Sequence, residues 1–293
     1  MNEFEMIEKY TSGFDYDGAN SAKLDLSELN MSIDIADIDQ YPNEQYALLR
    51  KNGLGTSDSS IILGVNPFKS REDLIAEKCR DYLTDEEIEV GDKAAVRKGR
   101  ELEPLIIHKM TQIIGRKVLK PVDMYRHNDF PWIKFNYDGV INKVYMDDGS
   151  YQYIPAEIKV VTMFGEKHYD KKKAYFTEAG MLNSVPENYS DAMNSIETKA
   201  AQYGIPPYYY TQLQQQIFGL NAPYGFLGVL FEKDWTIRVY YVWRDEAMIR
   251  NLIVETSKTW DTIMQRRPAT FNLGVTTTSP YEPEDATDGN EPE

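Results

Sequence analysis

The sequence is poor in the residues that lock a chain together or seat it in a membrane. One cysteine, Cys79, in 293 residues excludes an internal disulfide and any four-cysteine zinc or iron–sulfur site within one chain. The three histidines, His108, His127 and His168, lie far apart, which argues against a histidine-rich metal cage. No apolar run approaches the roughly 18 residues of a membrane span. The opening residues Met1-Asn2-Glu3-Phe4-Glu5 show no basic stretch followed by an apolar one, so no signal peptide is visible. A soluble cytoplasmic protein, of a bacterium or a phage-infected cell, is the expectation. Internal repeats are absent.

Positive charge is scarce as well. Lys+Arg number 32 against 47 Asp+Glu, a net charge of −15. That excludes a uniformly basic nucleic-acid binder, although only as an average over the chain. Residues 1–40 hold ten acids (Glu3, Glu5, Glu8, Asp15, Asp17, Asp25, Glu28, Asp34, Asp37, Asp39) against Lys9 and Lys23. Residues 281–293 hold six acids and no base. The long middle of the chain is therefore close to neutral.

What is present suffices for a folded domain. Hydrophobic residues make up 42% of the chain, enough for a real core at this length. Residues 1–40 read as an acidic, weakly structured segment in which Ile33 to Ile38 could be a short helix or strand, and 41–270 as one mixed α/β domain. Residues 271–293 read as an acidic, disordered tail. Helices are expected from Glu44 to Arg50, after an N-cap at Ser70, and from Gly99 to Ile114, where Gly115 ends the apolar periodicity. Short strands are expected at Arg116–Lys120 and Met124–His127, a strand–turn–strand over Trp132–Ile141, and a longer strand at Tyr151–Val161. Pro206-Pro207 opens a helix that Gly219 closes. Gly225–Phe231 and Trp235–Trp243 form a hairpin, and Asp245–Arg266 a long amphipathic helix stopped by Pro268.

The sharpest chemical signal is Asp138, followed nineteen positions later by Glu157-Ile158-Lys159. Residues two apart on a strand share a face, so Glu157 and Lys159 point the same way and Ile158 points into the core. Alone, this is an ordinary ion pair, and Asp138-Gly139 an ordinary turn. Phosphodiester hydrolysis is the chemistry that needs such a set. Two carboxylates can bring one or two Mg²⁺ ions to a phosphate, and a lysine beside them can position water or stabilise the transition state. Glu103 on the preceding helix is a candidate third carboxylate, or simply a solvated helix residue.

Five segments in order carry a resemblance. They are Gly53–Gly64 with Asn66-Pro67-Phe68-Lys69-Ser70; Gly99-Arg100-Glu101-Leu102-Glu103-Pro104; Asn136-Tyr137-Asp138-Gly139; Ala156-Glu157-Ile158-Lys159; and Tyr209-Tyr210-Thr211-Gln212-Leu213-Gln214-Gln215-Gln216. The chain resembles the YqaJ-type viral recombinases, relatives of the phage lambda exonuclease in the PD-(D/E)XK nuclease superfamily. The resemblance implies a restriction-endonuclease-like core, with a mixed central sheet flanked by helices. It implies metal ligation (Mg²⁺ or Mn²⁺) by Asp138, Glu157, Glu103 and the Ile158 carbonyl, with Lys159 as the catalytic lysine. Gln212 matches the glutamine that helps place water or phosphate, and Gln214 and Gln216 then read as packing and polar support. Arg50 and Ser57 match positions that grip a terminal 5′-phosphate. The Gly53–Gly55 turn and a helix starting near Ser57 would add backbone N–H groups. The plain alternative for Ser57 is a helix N-cap.

The gap between Lys159 and Gln212 is longer than the resemblance leads one to expect. The extra residues, 165–204, hold Lys167, Lys171, Lys172, Lys173, Tyr169 and Tyr175. They read equally as a surface insertion or as a basic, aromatic contact for single-stranded DNA. The resulting expectation is a metal-dependent exonuclease. It degrades one strand of linear duplex DNA from the 5′ end and leaves a 3′ overhang for a single-strand annealing or recombinase partner. A homo-oligomeric ring would hold a near-neutral subunit on DNA by topology. The rivals are an endonuclease on the same fold and a non-catalytic DNA-end-binding protein.

Overall fold

The computed structural model describes residues 21–145, 151–189 and 194–274. The expected acidic tail beyond 274 and the first half of the acidic N-terminal segment lie outside these residues. The strands in chain order are β1 (Ser21–Ala22), β2 (Met31–Ile35), β3 (Val118–Pro121), β4 (Met124–His127), β5 (Lys134–Phe135), β6 (Gly139–Tyr145), β7 (Tyr151–Val161), β8 (Phe176–Thr177), β9 (Gly180–Met181), β10 (Tyr224–Phe231) and β11 (Thr236–Trp243). The helices are α1 (Asn43–Leu49), α2 (Ser59–Ile62), α3 (Arg71–Lys78), α4 (Asp85–Asp92), α5 (Ala94–Ile114), α6 (Ile196–Tyr203), α7 (Pro207–Gly219) and α8 (Glu246–Arg266).

The main sheet runs β1-β3-β6-β7-β10-β11-β8-β9, and a smaller one runs β2-β4-β5. At the centre, β7 pairs antiparallel with β6 and parallel with β10. A parallel neighbour requires a crossover, and residues 162–223 supply it with α6 and α7 on one face. Along β10, Phe226 and Leu230 enter one core while Leu227, Val229 and Phe231 enter the other, so the sheet is buried on both sides. One face is covered by Leu102, Leu105, Ile106 and Met110 of α5. The other is covered by Tyr210, Leu213 and Ile217 of α7, with Met248, Ile249 and Leu252 of α8. Gly228 leaves space here: a Cβ would lie 2.1 Å from the Met110 sulfur, so any larger residue would make the Met110 side chain move as α5 packs on β10. Among the described residues no helix is long and apolar enough to cross a membrane.

Most expected elements fall within a few residues of their observed bounds, and three differ in substance. The helix expected from Gly99 begins at Ala94 and carries both Gly99 and Pro104 inside it. The cost of an interior glycine is only about 1 kcal/mol, less than the burial of this helix's apolar face returns. Within the weakly structured segment, residues 31–35 instead form β2, paired with β4 from Met31 opposite His127. Met31 and Ile35 enter cores, and Asp34 is the counter-ion of buried Lys134 at 2.7 Å. Asp34 therefore answers a lysine about a hundred residues away, which local composition does not reveal. Finally, the described residues of the insertion, 165–204, pack into the domain. Its β8 pairs with β11, Ala200 and Tyr203 of α6 are buried, and Lys171 is tied to Glu166 and Asp234, each at 2.8 Å.

Candidate active site

Asp138 stands one residue before β6, whose first residue, Gly139, is opposite Ala156 of β7. The register carries the Asp138 carboxylate to the backbone of the next strand, where the Ile158 N–H donates to its Oδ2 at 3.1 Å. A residue's N–H and C=O leave a strand on the same edge, so the Ile158 carbonyl faces the same side. Glu157 and Lys159, of opposite parity to Ile158, point toward α7. Glu157 is fully buried. The Lys159 ammonium contacts Glu157 Oε1 and lies 3.5 Å from Asp138 Oδ2.

Helix α7 closes over this group. The Gln212 amide donates to Glu157 Oε1 and the Gln216 amide to Oε2, both at 2.5 Å. The Tyr209 ring centre is 5.4 Å from Lys159 Nζ. Positions 209, 212 and 216 recur at helical spacing and so share one face of α7. Gln216 thus belongs to the site, where the sequence reading had made it packing support. The signal that finds it is its position four residues after Gln212, one turn along the same face. The other glutamines of the helix face elsewhere. Gln215 donates to the carbonyls of Leu54 and Lys134, and Gln214 to that of Trp243.

The charges in this group do not balance. Burial and then the Asp138 charge push the Glu157 carboxyl well above the usual carboxylate range, against the pull of Lys159 and Gln216. Burial works against the Lys159 charge, but Glu157 and Asp138 outweigh it and hold the ammonium protonated. Glu103 is raised too, by burial and then by Asp138, and its ion pair with Lys120 at 2.7 Å opposes this. Asp138 is thus the common neighbour of two carboxyl groups that resist ionising. Like charges crowded in this way, with all-oxygen donors, suit a hard divalent cation. Asp138, Glu157 and the Ile158 carbonyl fit such an ion. Glu103 lies near enough for the Asp138 charge to act on it and is paired with Lys120; no group of three or more His, Cys, Asp or Glu among the described residues is gathered as a metal site.

Arg50 and Ser57 are brought together, with the guanidinium donating to the Ser57 hydroxyl at 2.9 Å. Ser57 is exposed and caps nothing; it sits inside a single 3₁₀ turn, Thr56–Asp58. The regular helix starts only at Ser59 and spans four residues. The Gly55 N–H, expected to be free for an anion, donates to Asp58 Oδ2 at 2.8 Å. Asp58 is paired in turn with buried Lys78 at 3.1 Å, and Lys78 also donates to the Arg50 carbonyl. Of the amides of the Gly53–Gly55 turn, Leu54 and Gly55 are thus already engaged, by the Trp132 carbonyl and by Asp58, and Arg50 and Ser57 bring a guanidinium and a hydroxyl together. Tyr46 links this pair to the carboxylates. Its hydroxyl accepts from the Asn136 amide at 3.1 Å, and both Arg50 and Asp138 act on its ionisation. No sequence pattern marked Tyr46.

A family model, the YqaJ-like viral recombinase domain, matches residues 45–218. Among solved structures, the chain is similar to LHK-Exo in complex with dAMP, with a TM-score of 0.50 and 16% identity over 76% of this chain and 93% of that one. It is similar also to the alkaline exonuclease LHK-Exo from Laribacter hongkongensis, with a TM-score of 0.45 and 16% identity over 74% and 90% of the two chains. A phage related exonuclease from Haemophilus somnus 129PT gives a TM-score of 0.41, again at 16% identity, over 73% and 94%. No curated protein matches. The mixed sheet flanked by helices is the PD-(D/E)XK nuclease fold.

Proposed function

The chain belongs to the YqaJ-like viral recombinase domain family, and from that premise we propose that it is a metal-dependent DNA exonuclease. It degrades one strand of linear duplex DNA from the 5′ end and leaves a 3′ single strand. The observation that carries this reading is the convergence of Asp138, Glu157 and Lys159 beneath Gln212 and Gln216. Asp138, Glu157 and the Ile158 carbonyl would hold one or two ions of Mg²⁺ or Mn²⁺, which supply charge neutralisation at the scissile phosphate and a more acidic water. Lys159 stands beside that place with its proton held by two carboxylates, ready to bond a phosphate oxygen or orient the attacking water. Gln212 and Gln216 take one oxygen of Glu157 each and fix its plane.

Arg50 and Ser57 form the anchor for a terminal phosphate, whose extra negative charge over an internal phosphate favours a guanidinium fork. LHK-Exo holds dAMP, a nucleoside monophosphate of the kind released by stepwise strand degradation. A ring of several copies would keep the enzyme on DNA without strong basicity, and a single-strand annealing or recombinase protein would take up the overhang.

The test is digestion of end-labelled linear and covalently closed circular duplex, with Mg²⁺ or with EDTA. The expected result is loss of linear DNA from its 5′ ends in Mg²⁺ alone, with circles intact. Nicked circles would establish the endonuclease, and binding without cleavage would establish the end-binding protein. On linear DNA, a 5′-phosphate should speed degradation over a 5′-hydroxyl, and Arg50→Ala should erase the preference.

A further inference from the structure

An aromatic path leads outward from the lysine of the site. The Tyr209 ring lies over Lys159, Tyr208 meets Tyr209 with ring centres 4.5 Å apart, and Phe68 meets Tyr208 edge-on at 6.2 Å. The two tyrosines are half-buried, whereas Phe68 is 84% exposed. Its display is built in. The Asn66 side chain accepts from the N–H groups of both Phe68 and Lys69 while its own amide donates to Ser60, so the turn is pinned to α2. A rigid turn that holds a phenyl ring in water costs hydrophobic free energy unless the ring meets a partner.

The surroundings identify that partner. Tyr208 also lines a cavity of about 340 Å³, together with Lys167, His168, Pro206 and Pro207. The ring path thus starts at the lysine assigned to the phosphate and passes a cavity bordered by exposed Lys167 and His168, and by the carboxylates Asp170 and Glu197. A run of flat rings leading from a lysine suits a chain of bases on a phosphate backbone, with the rings rather than the mixed charges of the cavity supplying the contact. A protein partner would not require continuity with Lys159.

We infer that Phe68 and Tyr208 form a stacking site for unpaired nucleobases of the strand whose phosphate lies at Lys159, with Lys167 and His168 toward its backbone. The inference rests on the nuclease reading and adds a base-binding subsite to it. Every base has a stackable face, so the site is indifferent to sequence, as an enzyme that digests any DNA end requires.

The experiment measures binding of a short fluorescent single-stranded oligodeoxynucleotide in EDTA, where no cleavage occurs. A matched oligonucleotide carries abasic sites at every position. Phe68→Ala should weaken binding of the normal strand about tenfold and leave the abasic strand unchanged. Phe68→Trp should restore the affinity. Equal affinity of wild type and Phe68→Ala, or an equal loss on both strands, overturns the stacking site while leaving the nuclease intact. A wild type that neither binds nor cleaves DNA overturns the nuclease reading and this inference with it.

Discussion

Helix α7 touches two lysine–carboxylate clusters, one on each side. Gln212 and Gln216 face Glu157, Asp138 and Lys159. Tyr210 and Gln214, two positions away and so about 200° around the helix, face Asp245 and Lys199. In the second cluster the lysine donates to Asp245 Oδ2 at 2.6 Å and the Tyr210 hydroxyl to the same oxygen at 2.8 Å. The Met248 N–H takes Oδ1, which caps α8, and the Asp245 N–H donates to Gln214. One acid answers one lysine, and the oxygens are filled from within. In the first cluster two acids share one lysine, with Glu103 raised by the same Asp138 charge. Both groups are hydrogen-bonded, but the second is buried throughout, whereas of the charged groups in the first only Glu157 is buried, and Lys159 and Asp138 are 23% and 25% exposed. The difference lies in charge balance: the balanced cluster joins α6, α7 and α8, whereas the other sets two acids against one lysine.

A third group completes the series. Glu87 faces two cations, Lys51 at 3.3 Å and Arg80 at 3.0 Å. Burial pushes its carboxyl up, but hydrogen bonds from Thr84 and the charges of Lys51 and Arg80 prevail and bring it down to about 2.

The sharpest way to break the comparison is Asp245→Ala. It leaves the Lys199 charge buried without its partner and uncaps α8. Unfolding in urea should show a loss of about 3–5 kcal/mol, with the folded fraction as active as wild type. A loss below about 1 kcal/mol would mean the cluster is not the structural one. The converse test is Glu157→Gln or Asp138→Asn. Nuclease rate should fall by about a hundredfold or more, yet the urea midpoint should hold or rise, because one of two repelling charges is gone. Unfolding of these variants would reverse the assignment of the two clusters.

Gln216→Leu should cost about tenfold in rate or in metal affinity with stability nearly intact, since Glu157 keeps Gln212. An unchanged rate would return Gln216 to a packing role. The smallest effect concerns Glu87. Its folded carboxyl titrates below its ordinary value, so its contribution is present above about pH 4.5 and fades as pH falls toward about 2. Glu87→Gln should flatten that part of the acid stability curve, measured as the urea midpoint between pH 5 and pH 2. An identical curve would show that Lys51 and Arg80 do not hold it.

The sequence was most legible where a rule is local. Strand parity put Glu157 and Lys159 on one face, and Pro207 and Gly219 bracketed α7, as the helix shows. The order of five motifs pointed to the family, and the α/β order of elements to the fold. It was least legible where a residue's meaning depends on a distant partner. Asp34 looked like one more acid in a loose segment until Lys134 came beside it. Lys199 carries no local signal, and only the fold brings it to Asp245.

By itself, then, the sequence determined which side chains could do chemistry and which short-range rules place them: parity on β7, spacing on α7, breakers at helix ends. Tertiary structure decided which charges meet. It gave Glu157 two glutamines, Glu103 a lysine, the Gly55 amide a carboxylate, and Phe68 an open position at the end of an aromatic path. The reason is physical. Periodicity is fixed by backbone geometry within a few residues, whereas burial and Coulomb interactions depend on distance in space. Chain position does not encode that distance until β7 lies beside β10 and α7 closes over them.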